Sequence, residues 1–278
     1  MEIWHAVVLG VVEGLTEFLP VSSTGHLVAF AGLLGLEVND PSVIAFNAII
    51  QAGAIAALLV YFAKDMWKIT HGFVRGLFVA RHRRDFEYRF GWYVIAGSMP
   101  IVVVGLFIDD YVDKIFNLWV VAIGAIGFSF VMWFAEYAAT HQRRETQINF
   151  KDAMFVGALQ VLSLFPGVSR SAATMTAGLL RDLDRVSATR LAFFLGIPAL
   201  TGAGVLEAKE AFNGTVGLAP LIVGIVVSAA VAYASVAWLL KFVSSHTFMP
   251  FVWYRIGFGV AIILLLLAGV LTPTGEPA

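Results

Sequence analysis

Apolar positions run through this chain in long uncharged blocks. Ser42 to Ala63 holds 22 residues without a charge, Phe90 to Ile108 holds 19 and Ile115 to Ala135 holds 21. Each is close to the roughly 20 residues that a helix needs to cross a bilayer. In the second half the corresponding blocks are 191–206, 217–240 and 251–271. The pattern predicts six transmembrane helices at these six places. Two other segments, 3–36 and 153–180, are apolar but broken near the middle by proline and hydroxyl residues. Their arms are too short for two full spans, so each is expected to form a re-entrant helical hairpin, with non-helical backbone tolerated at depth where protein covers it.

Composition agrees with a membrane protein. Hydrophobic residues make up 59% of the 278 and charged residues only 13%, against about 25% charged in soluble domains. The expected fold class is therefore an all-α integral membrane protein, one membrane domain over 1–278. With no cysteine, disulfides and thiolate chemistry are excluded. The opening residues M-E-I-W-H lack a basic n-region, so no cleavable signal peptide is expected.

Charge placement predicts the topology. If each broken segment returns to its own side, 14 of the 18 Lys and Arg fall on one side, and only Lys114 and Lys209 on the other. The basic side is then cytoplasmic. Asp109, Asp110 and Asp113 fall in an outer loop, and Trp67 to Arg84 reads as an amphipathic helix on the inner surface. Arg170 and Arg255 remain, in or beside apolar segments.

An internal repeat appears at an offset of 147 residues. Gly10, Leu15, Phe18, Val21 and Ser22 match Gly157, Leu162, Phe165, Val168 and Ser169, while Glu13 pairs with Gln160 and Thr24 with Ser171. Repeat one is expected over 1–137 and repeat two over 148–278. Three spans follow the first hairpin, so the second copy enters from the opposite face, which makes an inverted-topology repeat whose breaks converge near the midplane. Gly53, Gly97, Gly124 and Gly202 suit close helix packing, either within the chain or across a homodimer interface.

Chemistry concentrates in the two breaks. Glu13 and Glu17 share a helix face, Pro20 ends that helix, and Ser22, Ser23 and Thr24 are candidate N-caps for a second helix carrying His26. The second break carries Ser169, Arg170, Ser171 and Thr174. An arginine at membrane depth needs a resident or visiting anion; Glu13 or Glu17 could be the first and a phosphate the second, held bidentately. The plainer alternative is an Arg170 that only pins the hairpins together through a glutamate. Ser23 and His26, three apart, would share a face, which allows a serine nucleophile with the imidazole as its base. The competing arrangement is metal-activated water as nucleophile, with His26 protonating the leaving group.

The stretches E-G-L-T-E-F-L-P-V-S-S-T-G-H (13–26) and P-G-V-S-R-S-A-A-T (166–174) resemble the two signature motifs of the undecaprenyl-diphosphate phosphatase family, the bacitracin-resistance proteins. The likeness covers the whole chain and shows no departure within either motif. It implies a hydrolase converting undecaprenyl diphosphate to undecaprenyl phosphate and inorganic phosphate, in the bacterial inner (cytoplasmic) membrane, with a divalent cation, Mg²⁺ or Ca²⁺, as cofactor. By that resemblance the catalytic residues are Glu17, Ser23, His26 and Arg170. From the residues themselves, phosphate is expected at Ser22, Thr24, Ser169, Arg170, Ser171 and Thr174, and metal at Glu13 and Glu17. The expected partners are a polyisoprenyl diphosphate lipid and the surrounding bilayer, with no nucleic acid. The alternative from another class is a polyprenyl-phosphate transporter or flippase, because inverted repeats with broken helices are also a transporter signature.

Overall fold

A computed structural model of the chain describes residues 1–211 and 217–277; the side chains at 109, 110, 112, 113, 203 and 205–211 also lie outside the description. Asp109, Asp110, Asp113 and Lys209, placed above in outer loops, are thus outside the described side chains. The chain is all-α, with eleven α-helices among the described residues. These are α1 (Ile3–Thr16), α2 (Ser23–Leu33), α3 (Pro41–Tyr61), α4 (Ala63–Phe78), α5 (Phe86–Ile115) and α6 (Leu118–Ala138), then α7 (Phe150–Gln160), α8 (Arg170–Leu179), α9 (Arg185–Ala211), α10 (Leu218–Val243) and α11 (Met249–Leu267). Among the described residues, five helices are long and apolar enough to cross a bilayer: α3, α5 over Phe86–Ile108, α6, α10 and α11. The chain is a multi-pass membrane protein.

Capping groups decide where the helices begin. Asp40 accepts a hydrogen bond from the Ser42 N–H at 2.7 Å, and Pro41 occupies the first helical position, where its missing N–H costs nothing. Asn117 caps α6 through the Val120 N–H at 3.0 Å, so that helix opens three residues after the apolar block does. The expected span at 90–108 is shorter than α5, which runs on at both ends. Its Glu87 and Lys114 lie in the first and last turns, where their charges oppose the helix dipole. Block 191–206 likewise sits inside the 27-residue α9.

The two broken segments form two pairs of short helices, α1 with α2 and α7 with α8. Both breaks end in the same way: Ser22 and Ser169 have φ of 78° and 73°, a region that non-glycine residues seldom enter. These two serines are the residues matched by the 147-residue offset. Glycine permits several close backbone approaches. A Cβ at Gly124 would come 2.2 Å from the Pro166 carbonyl, one at Gly157 1.9 Å from that of Gly97, and one at Gly53 2.5 Å from that of Ile225. Gly202 meets nothing within 4 Å among the described residues, so no close packing within the chain is seen there.

Ion pairs gather several helix ends at one end of the molecule. Asp152, at the start of α7, accepts from Arg143 at 2.5 Å and from Arg181, just past α8, at 2.8 Å. Arg190 bridges Asp65 and Glu145 at 3.0 and 2.9 Å, and Arg185 pairs with Glu136. The opposite end joins the start of α6 to the C-terminal tail, with the Leu118 N–H bonded to the Pro273 carbonyl at 2.8 Å. The end of α2 packs there too, Gly32 lying against Gly275.

Candidate active site

Three helix ends meet where the two breaks face each other. Glu17 caps the C-terminus of α1, its backbone N–H bonded to the Glu13 carbonyl at 2.9 Å. Ser23 opens α2 and Arg170 opens α8. Arg170 Nη2 donates to Glu17 Oε1 at 2.6 Å, and Ser23 Oγ donates to Glu17 Oε2 at 2.6 Å. One carboxylate therefore joins the sole arginine of the second break to a hydroxyl of the first, although 153 residues separate the charged partners. The Glu17 side chain is only 4% exposed and that of Arg170 17%. Breaking a pair this buried by removing one partner costs about 3–5 kcal/mol.

The guanidinium has capacity to spare. Glu17 takes one N–H of five, and the guanidinium makes no other hydrogen bond among the described residues. Gly196 of α9 lies beside its end, where a Cβ would sit in ordinary van der Waals contact, 3.6 Å from Arg170 Cζ. A small cleft beside it is lined by Phe18, Leu58, Ser171 and Phe193. The first turns of α2 and α8, whose N–H groups lack intrahelical acceptors, add partial positive charge where these helices begin.

The remaining predicted residues divide into those drawn in and those used elsewhere. Ser171 Oγ donates to the Leu19 carbonyl at 2.8 Å and lies 3.1 Å from Ser169 Oγ, which caps α8, so this pair of hydroxyls ties the breaks together. Thr174 donates back to the Arg170 carbonyl at 2.8 Å. Ser22 is buried and serves through its carbonyl, while Thr24 is exposed and is not drawn into the cluster. Glu13 and its repeat counterpart Gln160 are both buried, 1% and 0% exposed.

His26 is not where the expected serine–histidine pair needs it. Its Nδ1 lies 2.7 Å from the Ser22 carbonyl and its Nε2 2.8 Å from Tyr254 Oη, and its ring stacks on Phe258 with centroids 3.7 Å apart. A carbonyl only accepts, so Nδ1 carries the proton and the neutral ring's Nε2 accepts from Tyr254. The Ser23 proton faces Glu17 instead. The reason is local: Ser23 is the first residue of α2, and its hydroxyl turns back to the Glu17 carboxylate at the end of α1.

Arg255, the lone charge in block 251–271, has no role assigned from the sequence. It is fully buried and donates to the Pro20 carbonyl at 3.2 Å, the Gly167 carbonyl at 3.0 Å and Ser129 Oγ at 3.2 Å. One guanidinium on α11 thus holds both breaks. Tyr254 and Phe258, on the same helix, hold His26.

Fold and site together define a multi-pass membrane protein in which two broken helix pairs enclose a carboxylate, guanidinium and hydroxyl cluster. The sequence model of a family described as bacitracin resistance protein BacA matches residues 6–261. Among its relatives, undecaprenyl-diphosphatase 1 of Streptomyces coelicolor is 56% identical over 98% of both chains. The protein of the same name from Streptomyces avermitilis is 54% identical over 98% of this chain and 99% of its own, and the undecaprenyl-diphosphatase of Cutibacterium acnes 47% identical over 96% and 98%. The chain belongs to the bacitracin resistance protein family.

Proposed function

We propose that this chain is an undecaprenyl-diphosphatase, cleaving the lipid diphosphate to undecaprenyl phosphate and inorganic phosphate at the point where Arg170, Glu17 and Ser23 meet. The observation that carries the reading is the 2.6 Å contact of Arg170 with Glu17 across the two breaks, in a chain 56% identical to a relative of that name. Phosphoryl transfer needs charge neutralisation and in-line positioning above all. The free N–H groups of Arg170 bind the terminal phosphate bidentately, with the starts of α2 and α8 behind it. As the guanidinium turns to the phosphate, Glu17 is released to take the Ser23 proton. Ser23 Oγ then attacks the terminal phosphorus, the bridging P–O bond breaks and undecaprenyl phosphate departs. Glu17 passes that proton to the departing lipid phosphate and is a carboxylate again. In a second step it takes a proton from the water that attacks the phosphoserine, the Ser23 Oγ–P bond breaks, Ser23 recovers its proton from Glu17 and inorganic phosphate leaves. His26 orients the first turn of α2 from its place on Tyr254 and Phe258.

A divalent cation fits this donor set. Glu13 and Glu17 with the neighbouring hydroxyls are hard oxygen ligands, and among the described residues no group of three or more His, Asp or Glu is placed to hold a metal alone. Mg²⁺ is usually bound in this way, by one or two carboxylates with substrate phosphates completing its shell. When bound it would neutralise charge on the bridging and terminal phosphate oxygens.

The broken pairs are read as re-entrant hairpins related by an inverted repeat, with α9 as a sixth span, in a bacterial cytoplasmic membrane. What supports this is the pair of left-handed serines at equivalent positions, and the joining of α7's start to α8's end through Asp152. The test is phosphate release from the C55 diphosphate by purified protein in detergent. A polyprenyl-phosphate transporter would release none, and that result would overturn the assignment.

A further inference from the structure

Helix α4 and the 3-10 turn after it (Ala80–Arg84) take no part in the site above, yet they carry the densest positive charge in the chain. Residues 63–84 include Lys64, Lys68, Arg75, Arg81, Arg83 and Arg84 against one acid, Asp65, which is already paired with Arg190. At about 100° per residue, Lys64, Lys68, His71 and Arg75 fall on one stripe of α4. Trp67, Val74 and Phe78 fall on the next. The face away from both packs on α5, with Gly72 against Glu87 and Gly76 against Tyr88. The apolar stripe is uncovered, Trp67 being 73% and Phe78 82% exposed.

Beside the basic stripe lies a cavity of about 300 Å³, lined by Trp67, Lys68, His71, Arg75 and His82 together with the carboxylates of Asp85 and Glu87. The bonding at its His82 wall is unusual and draws in Arg81, which does not itself line the cavity. Arg75 Nη2 and Arg81 Nε both approach His82 Nε2, at 3.4 and 3.2 Å, while His82 Nδ1 bonds Asp85 at 2.8 Å. Two guanidiniums thus converge on one neutral nitrogen, and neither makes an ion pair among the described residues. Like charges so arranged repel unless an anion joins them, and the fork of Arg matches phosphate.

We propose that this cavity binds the headgroup phosphate of an anionic phospholipid of the bilayer, phosphatidylglycerol in type. Arg75, Arg81 and Lys68 hold the phosphodiester, and Trp67 and Phe78 lie among the acyl chains. Commitment to a bilayer lipid follows from the adjacency of the two stripes: a free phosphate would leave Trp67 and Phe78 uncovered, whereas a lipid covers both. The arrangement is that of an interfacial helix, apolar face in the acyl boundary and cations at headgroup level.

The test is native mass spectrometry of the full chain in detergent, offered equimolar phosphatidylglycerol and phosphatidylcholine. The wild type should retain the anionic lipid preferentially. At about fivefold per basic residue near an anionic surface, the triple variant Lys68→Gln, Arg75→Gln, Arg81→Gln should lose on the order of a hundredfold of that preference and keep its phosphate release in detergent. Equal retention of the two lipids by the wild type, or undiminished preference in the triple variant, overturns the proposal. Displacement of the lipid by millimolar inorganic phosphate would also overturn it, by making the site one for free anions. Should the triple variant not fold, thermal unfolding of the wild type decides the matter. A midpoint raised by phosphatidylglycerol alone, with the rise erased by salt, supports the site, and equal shifts with both lipids refute it.

Discussion

Replacing Arg255 by methionine should destabilise the protein more than any other change on α11, because it strips both breaks of the same support. The guanidinium reaches four acceptors, but two of them have other resources: the Ala125 carbonyl also accepts from Ser129 Oγ at 2.6 Å, and Ser129 can rotate. The Pro20 and Gly167 carbonyls depend on Arg255 among the described residues. Leaving a buried acceptor unpaired costs about 1–3 kcal/mol, so two of them give about 2–6 kcal/mol. Relief from burying the charge itself offsets part of this, since a well-packed apolar side chain can stand in for a buried ion at little cost. Lysine should recover little, as one ammonium cannot span carbonyls on two segments in the way a planar fork does. Thermal unfolding in detergent, followed by tryptophan fluorescence, measures the effect, and a midpoint several degrees lower is expected. A methionine variant that unfolds with the wild type would refute the claim that Arg255 joins the breaks.

Arg170→Lys should lose at least about a hundredfold in turnover, the range for removal of one transition-state donor, because a point ammonium cannot bind phosphate through two edges; near-normal activity would make the residue a structural counter-ion. Glu17→Gln should weaken the response of phosphate release to added Mg²⁺, and an unchanged metal titration would remove Glu17 from the cation's shell. Burial pushes the Asp152 carboxyl up, but the bonds from Arg143, Arg181 and Asn149 outweigh it, so the group sits below the ordinary range. Its contribution to stability is then present above the unfolded value of about 3.9 and lost as pH falls through the lower folded value. Asp152→Asn should accordingly unfold more readily at pH 7 and lose part of the acid sensitivity below about pH 4; acid-unfolding curves of equal shape would contradict the sign.

Apolar run length located α3, α6, α10, α11 and the core of α5, because a lipid solvent leaves little choice of structure for such runs. It misjudged their ends, since caps such as Asp40 and Asn117 and charged end turns such as Glu87 are local polar events that a run length does not register. The two breaks were visible as proline and hydroxyls in apolar surroundings, and the structure brings Glu17, Ser23 and Arg170 together from them. Which hydroxyl faces which base was not legible. It depends on the left-handed turn at Ser22 and on Tyr254, 228 residues away, which takes His26 for itself. Arg255 was visible as a charge out of place, but its partners are backbone carbonyls, which carry no side-chain signature in a sequence.

The central claim, that the diphosphate is cleaved where Arg170, Glu17 and Ser23 meet, is tested most directly by rapid quenching with a substrate labelled at its terminal phosphate. Label should appear within one turnover on a peptide containing Ser23, and Ser23→Ala should abolish both the label and phosphate release. Substantial phosphate release by Ser23→Ala would contradict the account and leave activated water as the nucleophile.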